Sequence, residues 1–489
     1  MIVLGIDIGT SSTKALALDT SGLVRGLATA KYDLLPHEGT VEEEPRAWWQ
    51  AACSAISGCL QMSGCRPDEV ACVGFSGQMS VAVLLDSNGS PLRSAMLLAD
   101  PRGRGEIESL GAELRSDIER HTHNVPNTAF TLAKLLWLRT HEPDLLAKAQ
   151  YCISAKDYAR YRLTGEVGTE ITDAYNTLLL NPGASHWEIN RIQSLGLPVE
   201  LFPKVSLPTD IAGRVTAKAA AQTGLNEGTP VVFGAADMAT AALGSGATKP
   251  GNVAISMGTS FTVIAPQDNA EFRDEWRGKF TFHPLTEPGN YYALASLLTG
   301  GLALNWLEEL TNSKSRSFVA TEPGVSDTAG PLVFLPFLSG RGSPSFDSGI
   351  RGTIYGLSPQ TRREDLQYAL FEALAFELED VFAEFGLLKV NQIALSGGAS
   401  RIPTWTQIIA DILQMPIGIL ETTDTSALGA ALLAWQGLGL DFEQGTVVNP
   451  VRFTRYVLPR NGNDEYWKER KNRYHLARDI SERYYRTRL

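Results

Sequence analysis

The chain has 489 residues, of which 44% are hydrophobic and 20% charged, and its formal net charge is −11. This length exceeds what one hydrophobic core supports, so two large domains are expected. The sequence contains no apolar run near the ~20 residues that span a membrane, no Lys/Arg block for a nucleic-acid backbone and no signal peptide after Met1, which predicts a cytoplasmic protein without membrane or nucleic-acid partners.

The chain begins with a predicted β-hairpin. Two apolar runs, residues 2–8 and 14–19, flank the turn Gly9-Thr10-Ser11. Glycine lets the backbone approach a ligand closely, and the hydroxyl and N–H groups that follow it can line a concavity that suits phosphate oxygens. Asp7, two residues before the glycine, is placed to hold Mg²⁺ or its water shell. A turn-stabilising Asp is an equally good interpretation from the sequence alone.

Loops, strands and helices alternate after this hairpin. The predicted elements up to residue 163 are a loop over 36–44, a helix over 45–60, strands over 70–76 and 81–86, and helices over 126–139 and 157–163. The strand over 70–76 ends in Gly77-Gln78-Met79-Ser80. Polar groups at such a strand end can face a cleft.

Asp237 lies at a predicted strand-to-helix junction. A strand over 230–233 and a helix over 238–243 are joined by Gly234-Ala235-Ala236-Asp237. The small side chains of Ala235 and Ala236 leave room for a substrate hydroxyl to approach the carboxylate, which could act as the general base of a phosphoryl transfer. From the residues alone, an N-cap is the more common role for such an Asp.

The strand-turn-strand pattern of the first hairpin recurs about half the chain later. Residues 253–257 and 261–264 flank the turn Gly258-Thr259-Ser260. This recurrence indicates two related halves, and two such turns facing each other could hold a polyphosphate from both sides. Ser256 stands where the first copy has Asp7, so only the first copy offers a carboxylate. The predicted domains are residues 1–246 and 247–489.

Two glycine bends in the second half precede predicted helices. Gly300-Gly301 comes before a helix over 302–310, and a strand over 392–395 ends in Ser396-Gly397-Gly398-Ala399-Ser400, before a helix over 405–413. A strand, a Gly-Gly bend and a helix N-terminus can bind phosphate or the edge of a nucleotide. A Gly-Gly bend alone is more often a plain loop.

Two long helices and the cysteines complete the predictions. Thr361 and Glu364 form a predicted capping box at the start of a helix with apolar residues at helical spacing over 366–382. The charged segment 465–489 is predicted to be a helix that packs on one face and is solvated on the other. The five cysteines include no C-x-x-C pair, which favours reduced thiols over a metal site or disulfides.

Several motifs in the same order resemble the FGGY family of carbohydrate kinases, and within it most closely the xylulokinases. The resemblance runs nearly from end to end and is carried by residues 5–14, 76–79, 134–138, 156–158, 162–165, 234–237, 256–260, 352–357, 365–372, 397–399 and 427–431. It implies an α/β fold with two ribonuclease-H-like domains, of the actin, Hsp70 and sugar kinase type, around a cleft for ATP and sugar. Closure of this cleft would exclude water as a competing acceptor.

The resemblance also implies roles for residues at matching positions. Asp237 matches the catalytic base, and Asp7 matches the catalytic carboxylate near Mg²⁺. The implied ATP-binding residues are Gly9, Thr10, Ser11, Ser12, Lys14, Gly258, Thr259, Ser260, Gly301, Asn305, Gly397, Gly398 and Ala399. The implied sugar-binding residues are Gln78, Met79, Ser80, Asp100, Arg102 and Asp237.

The sugar side departs from the xylulokinase pattern in two places. Xylulokinases usually read Gln-Met-His-Gly where this chain has Gln78-Met79-Ser80-Val81, and Trp-Asn-Asp-x-Arg where it has Leu98-Ala99-Asp100-Pro101-Arg102. The implied reaction is ATP- and Mg²⁺-dependent phosphorylation of a small sugar or polyol, with D-xylulose as the first expectation. Ribulose, L-xylulose, gluconate or a tetritol are alternative substrates. An actin- or Hsp70-like ATPase that phosphorylates no sugar is a further alternative, and a homodimer is a candidate assembly.

Overall fold

The computed structural model describes residues 1–33, 39–181, 186–267, 274–312, 332–387, 390–442 and 445–487. The strands, in chain order, are β1 Ile2–Ile8, β2 Ser12–Asp19, β3 Val24–Lys31, β4 Glu42–Glu43, β5 Val70–Gly77, β6 Val83–Leu85, β7 Ala95–Met96, β8 Tyr151–Ile153, β9 Thr169–Glu170, β10 Leu180–Asn181, β11 His186–Trp187, β12 Val205–Ser206, β13 Ile211–Arg214, β14 Pro230–Val232, β15 Ala235–Ala236, β16 Asn252–Met257, β17 Phe261–Gln267, β18 Thr281–Pro284, β19 Tyr291–Leu297, β20 Val333–Leu335, β21 Thr353–Tyr355, β22 Gln392–Ser396, β23 Ile417–Leu420 and β24 Phe453–Val457.

The helices, in chain order, are α1 Pro45–Ser63, α2 Arg104–Glu108, α3 Ala112–Thr122, α4 Thr131–His141, α5 Pro143–Leu146, α6 Ala155–Thr164, α7 Ile171–Tyr175, α8 Ile189–Ser194, α9 Ala217–Thr223, α10 Asp237–Ser245, α11 Gly301–Leu310, α12 Arg363–Phe385, α13 Pro403–Leu413, α14 Thr425–Gly437 and α15 Asp464–Arg486. None of the helices in these described ranges is long and apolar enough to cross a membrane.

The first half of the chain is built around a seven-stranded sheet. Its strand order is β13-β14-β5-β1-β2-β3, and β15 pairs with β5. β1 and β2 form the predicted antiparallel hairpin, whereas β1, β14 and β15 run parallel to β5. The carboxyl ends of these parallel strands meet at one edge, which is where ligands bind in open α/β sheets. Asp7, Gln78 and Asp237 all lie at this edge.

The second half repeats the arrangement. Its seven-stranded sheet has the order β18-β19-β17-β16-β22-β23-β24. β16 and β17 form the second predicted hairpin, and β16 runs parallel to β22 with Ser256 opposite Ser396. This register places the Gly258 turn beside the Gly397-Gly398 bend.

Helices α10 and α14 pack tightly together between the two sheets. A Cβ atom added to Gly429 of α14 would lie 1.9 Å from the backbone oxygen of Thr240 in α10, and one added to Gly5 of β1 would lie 2.0 Å from the oxygen of Ala427. Only glycine permits such close backbone contact. Although α14 belongs to the second half in sequence, it therefore packs on the sheet of the first half.

The starts of α4 and α12 differ from the prediction. The helix expected from residue 126 begins at Thr131, because the side chain of Asn127 accepts the N–H of Ala129 at 2.8 Å and forms a turn first. The predicted capping box at Thr361 is wrong. α12 begins two residues later, where the carboxylate of Asp365 accepts the N–H of Arg362 at 2.8 Å.

The predicted loop over 36–44 also differs in part. Residues 36–38 lie outside the described residues, but Glu42–Glu43 forms strand β4 and pairs with β7. The C-terminal helix is confirmed as α15, which buries Trp467 and Tyr474 and exposes its other face; residues 488–489 lie outside the described residues. All five cysteines are free thiols, as predicted.

Candidate active site

Asp237 is the first residue of α10, directly after strand β15. Ala236 occupies the N-cap position, so the N-cap interpretation of Asp237 is wrong. The carboxylate accepts the N–H of Met238 at 2.9 Å. Burial raises the pKa of Asp237 to about 8, and the nearby negative charges of Asp7 and Asp173 act in the same direction. A carboxylate with so high a pKa has a strong affinity for a proton, which suits a general base.

Asp7 lies on β1 beside the strand end that leads to Gln78. Its carboxylate accepts the hydroxyl of Ser76 at 2.8 Å, and that hydroxyl is also 2.8 Å from the hydroxyl of Thr240 on α10. Burial raises the pKa of Asp7, although the Ser76 hydrogen bond and the charge of Lys14 oppose the shift. The described residues contain no group of three or more acidic, His or Cys side chains that could hold a metal ion. A magnesium ion at Asp7 would therefore take its other ligands from water and phosphate, as Mg²⁺ usually does.

Lys14, predicted to bind phosphate, forms an ion pair with a residue from the second half. Its Nζ atom lies 2.6 Å from Oδ1 of Asp424. Asp424 immediately precedes α14, so this pair connects the first hairpin to the helix that crosses between the sheets. Sequence reasoning missed Asp424, because nothing in its local sequence indicates a partner so distant along the chain.

Both predicted phosphate turns have exposed tips. Thr10 and Ser11 in the first turn, and Thr259 and Ser260 in the second, are exposed to solvent, and Ser12 begins β2. The N–H of Gly9 donates to the oxygen of Ser12 at 3.0 Å, which closes the first turn. The second turn is closed two residues apart instead of three, by the N–H of Gly258 and the oxygen of Ser260 at 3.1 Å, and each tip presents hydroxyls that can donate to phosphate oxygens.

The second turn is joined directly to the start of α11. The N–H of Gly300 donates to the backbone oxygen of Thr259 at 2.9 Å, and the N–H of Gly301 donates to the backbone oxygen of Gly258 at 2.8 Å. The positive end of the α11 dipole therefore lies beside this turn, where it favours an anion.

A cavity of about 450 Å³ opens next to the second turn. Six of the predicted ATP-binding residues line it, namely Gly258, Thr259, Gly301, Asn305, Gly398 and Ala399. The volume is typical of a small-molecule site. Gly397 lies behind the lining, where its φ of +90° and a Cβ position 2.6 Å from the oxygen of Met257 require glycine. Ser260 does not line the cavity.

The other lining residues were missed by the sequence analysis. They are Met257, Leu304, Glu308, Gln367, Phe371, Arg401, Ile402 and Pro403. Phe371 lies on the apolar face of α12, and periodicity cannot distinguish such a residue from ordinary core. The segment 427–431, which is one of the segments that resemble the family, lies outside this lining and packs instead on β1 and α10.

The predicted sugar side is a buried polar region. Gln78, Met79 and Ser80 are buried, and Ser80 has a left-handed φ of 60°, which is rare for a residue other than glycine. The amide of Gln78 donates to Oε2 of Glu43 at 2.8 Å, and the indole N–H of Trp48 donates to the same oxygen at 2.5 Å. Burial raises the pKa of Glu43 to about 7. Glu43 was missed because it lies in a segment predicted to be a loop.

The side chains of Asp100 and Arg102 form contacts with each other and with residues next to or in strand β4. Arg102 pairs with Asp100 at 2.7 Å and with Glu42, and its guanidinium lies 4.5 Å from the ring centre of Trp137. Asp100 also accepts the N–H of Val41 at 2.9 Å, and these partners lower its pKa despite burial. Both side chains thus hold β4 in place, and their direct contact with a sugar stays a prediction.

Sequence profiles of the FGGY family of carbohydrate kinases match both halves of the chain. The N-terminal domain profile covers residues 2–244 and the C-terminal domain profile covers 253–437. A xylulose kinase of Bacillus subtilis is 32% identical over 444 residues, which are 89% of this chain and 88% of that protein.

Solved structures share the fold. A xylulose kinase from Rhodospirillum rubrum aligns with a TM-score of 0.84 at 28% identity, covering 99% of this chain and 100% of that one. A gluconate kinase from Lactobacillus acidophilus has the same TM-score of 0.84 at 23% identity, covering 98% of each chain. The predicted two-domain α/β sugar kinase fold is confirmed, and the fold alone does not identify the sugar.

Proposed function

Since the chain belongs to the FGGY family of carbohydrate kinases and is a sugar kinase, we propose that it transfers the γ-phosphate of ATP to D-xylulose, giving xylulose 5-phosphate. The observation that best supports phosphoryl transfer is the carboxylate of Asp237, which is partly enclosed, has a pKa of about 8 and lies near Asp7 at the edge of the first sheet. The relatives named xylulose kinase support the substrate. Family membership decides against an actin- or Hsp70-like ATPase that phosphorylates no sugar.

Asp237 acts as the general base in this proposal. It accepts the proton of the attacking sugar hydroxyl, whose oxygen forms the new bond to phosphorus while the bond to ADP breaks. Family members use ATP, usually with Mg²⁺, and Asp7 fits the role of magnesium ligand. The metal ion, when bound, neutralises charge on the phosphate oxygens.

The two glycine turns and the cavity beside α11 would hold ATP. The turns at Gly9 and Gly258 present exposed hydroxyls for the phosphates, and the 450 Å³ cavity between α11 and α12 has room for the nucleoside. Lys14 reaches the same region from β2. Its ion pair with Asp424 would have to weaken or be shared if Lys14 contacts a phosphate.

The choice among sugars depends on the region around Ser80. Ser80 borders a second, much smaller cavity of about 20 Å³, whose lining includes Asp173 and Thr177. This is roughly the space of one water molecule, and the Ser80 hydroxyl stands where xylulokinases usually have a histidine. A sugar with differently placed hydroxyl groups could therefore compete, and ribulose, L-xylulose, gluconate and a tetritol are the sugars to compare.

The test is an assay of sugar-dependent ADP release across this panel. We expect D-xylulose to give the highest kcat/KM, and Asp237→Asn to lower kcat by about 10²–10⁴-fold, the usual contribution of a general base. Asp464→Asn is a matched control, because Asp464 is also the first residue of a helix but is exposed at the start of α15. Another sugar with a higher kcat/KM would overturn the substrate, and an active Asp237→Asn enzyme would overturn the mechanism.

A further inference from the structure

Five charged side chains form a buried cluster close to strand β15, which directly precedes Asp237. Nζ of Lys156 lies 2.9 Å from Asp157, 3.1 Å from Glu170 and 2.9 Å from Asp173, and Arg160 pairs with Asp157 at 3.4 Å. Each of these side chains is at most 4% exposed. Burying so many charges costs free energy that their mutual attraction often fails to recover, so stability alone does not account for the cluster.

One member of the cluster is connected to the residue before Asp237 through a hydroxyl group. The hydroxyl of Thr172 donates to Oε1 of Glu170 at 2.7 Å, and the N–H of Thr172 donates to Oε2 at 2.7 Å. The same hydroxyl oxygen accepts the backbone N–H of Ala236 at 2.8 Å. A hydroxyl group can donate only one hydrogen bond, and Thr172 donates it to Glu170. A lone pair of the Thr172 hydroxyl oxygen is therefore oriented toward the N–H of Ala236.

The strand held in this way is short. β15 consists of Ala235–Ala236 alone and pairs with the end of β5. The cluster supports that strand end too, because a Cβ atom added to Gly77 would lie 2.8 Å from Cβ of Lys156. The buried charges therefore support both segments that lead into the site, the one before Gln78 and the one before Asp237.

We infer that Thr172, oriented by Glu170 and the Lys156 cluster, is a positioning residue that fixes the backbone of Ala236 and with it the carboxylate of Asp237. The inference rests on the proposed role of Asp237 as the base. A displacement of about 1 Å at a reacting group can cost about 10²-fold in rate. A rigid connection to a fully buried cluster prevents such a displacement, whereas a two-residue strand by itself would allow it.

The test compares Thr172→Val, which keeps the shape but removes the hydroxyl, with Thr172→Ser, which keeps the hydroxyl. We expect the valine variant to lose about 10- to 100-fold in kcat for D-xylulose, with KM changed by less than about three-fold, and the serine variant to retain most of kcat. Thr223→Val is a matched control. The hydroxyl of Thr223 is also buried and also both donates, to Ala219 at 2.8 Å, and accepts, from Leu225 at 3.3 Å, but it lies in α9.

Thermal unfolding of each variant separates positioning from loss of fold. A similar loss of kcat in the Thr223→Val enzyme, or full kcat in Thr172→Val, would overturn the inference. If Thr172→Val does not fold, Glu170→Gln takes its place, and unchanged kcat in that variant would overturn the inference. Asp237→Asn, measured in parallel, distinguishes the two proposals: if it is inactive while Thr172→Val is fully active, only the positioning role fails, and if it is active, the proposed mechanism itself fails.

Discussion

The pKa of Asp237 leads to a pH dependence that can be worked out from the structure. Asp237, the proposed base, must be ionised to accept the sugar proton, and burial together with Asp7 and Asp173 raises its pKa to about 8. At pH 7 the carboxylate is then ionised in about one free enzyme molecule in ten. We expect kcat/KM for the sugar to rise about ten-fold per pH unit on the acid side and to level off above about pH 8.

Asp173→Asn tests the electrostatic part of this reasoning. The substitution removes one of the two carboxylates whose negative charge raises the pKa of Asp237. The pH at which kcat/KM reaches half of its plateau, here called the midpoint, should therefore move to lower pH, by on the order of one unit or less. The plateau measures the rate of the ionised enzyme and is read separately from the midpoint. Any disturbance of the Lys156 cluster therefore appears in the plateau, and the loss of charge appears in the midpoint.

The assay measures initial rates of ADP release at low sugar concentration and saturating MgATP, from about pH 6 to about pH 9, with the coupling enzymes in excess. Asp464→Asn, which removes an exposed charge, should reproduce the wild-type profile. A profile that is flat over this range, or an Asp173→Asn midpoint displaced to higher pH, would refute the reasoning.

Two further predictions concern stability. The raised pKa means that the Asp237 carboxylate holds a proton in the folded protein but not in the unfolded chain between about pH 4 and pH 8, so its contribution lowers the free energy of unfolding as pH rises through this range. Asp237→Asn removes this contribution and should raise the free energy of unfolding at pH 8, by at most about 5 kcal/mol for a rise in pKa from 3.8 to about 8, seen as a higher Tm. Gly429→Ala would place a Cβ atom 1.9 Å from the oxygen of Thr240 and should cost about 3 kcal/mol or more, seen as a lower urea midpoint. Gly105→Ala in α2, where a Cβ meets nothing within 4 Å, should not lower it. An unchanged Gly429→Ala midpoint, or an Asp237→Asn enzyme with lower Tm at pH 8, would contradict these expectations.

The parts of the fold that depend on local sequence were predictable. Both hairpins combine a glycine turn with flanking apolar runs, and β1–β2 and β16–β17 form where the pattern indicates. The position of Asp237 at a strand-to-helix junction follows from the small residues before it. Helix starts were less predictable, because the residue that caps a helix is chosen by competing local hydrogen bonds. Asp365, and not Glu364, bonds back to the start of α12.

Contacts between distant segments were not predictable from one sequence. Glu43 and Gln78 meet only because β4 folds beside the end of β5, and the run Glu42-Glu43-Glu44 resembles a solvated acidic loop. Asp424 meets Lys14 only because α14 crosses to the first sheet. In each case the sequence specifies a polar side chain, and the partner that this side chain contacts is set by tertiary packing.

The path of α14 explains why the two related halves have unequal roles. Backbone contacts of α14 reach β1, which carries Asp7, and α10, which carries Asp237, with glycine at each contact and no side chain between. A side chain can change rotamer to absorb a shift, but backbone in direct contact cannot. A helix from the second half therefore packs directly on both elements that carry the two carboxylates, even though both carboxylates belong to the first half. The second half thus contributes twice, by lining the cavity beside α11 and by packing on the elements that carry the carboxylates, whereas the first half carries the proposed base.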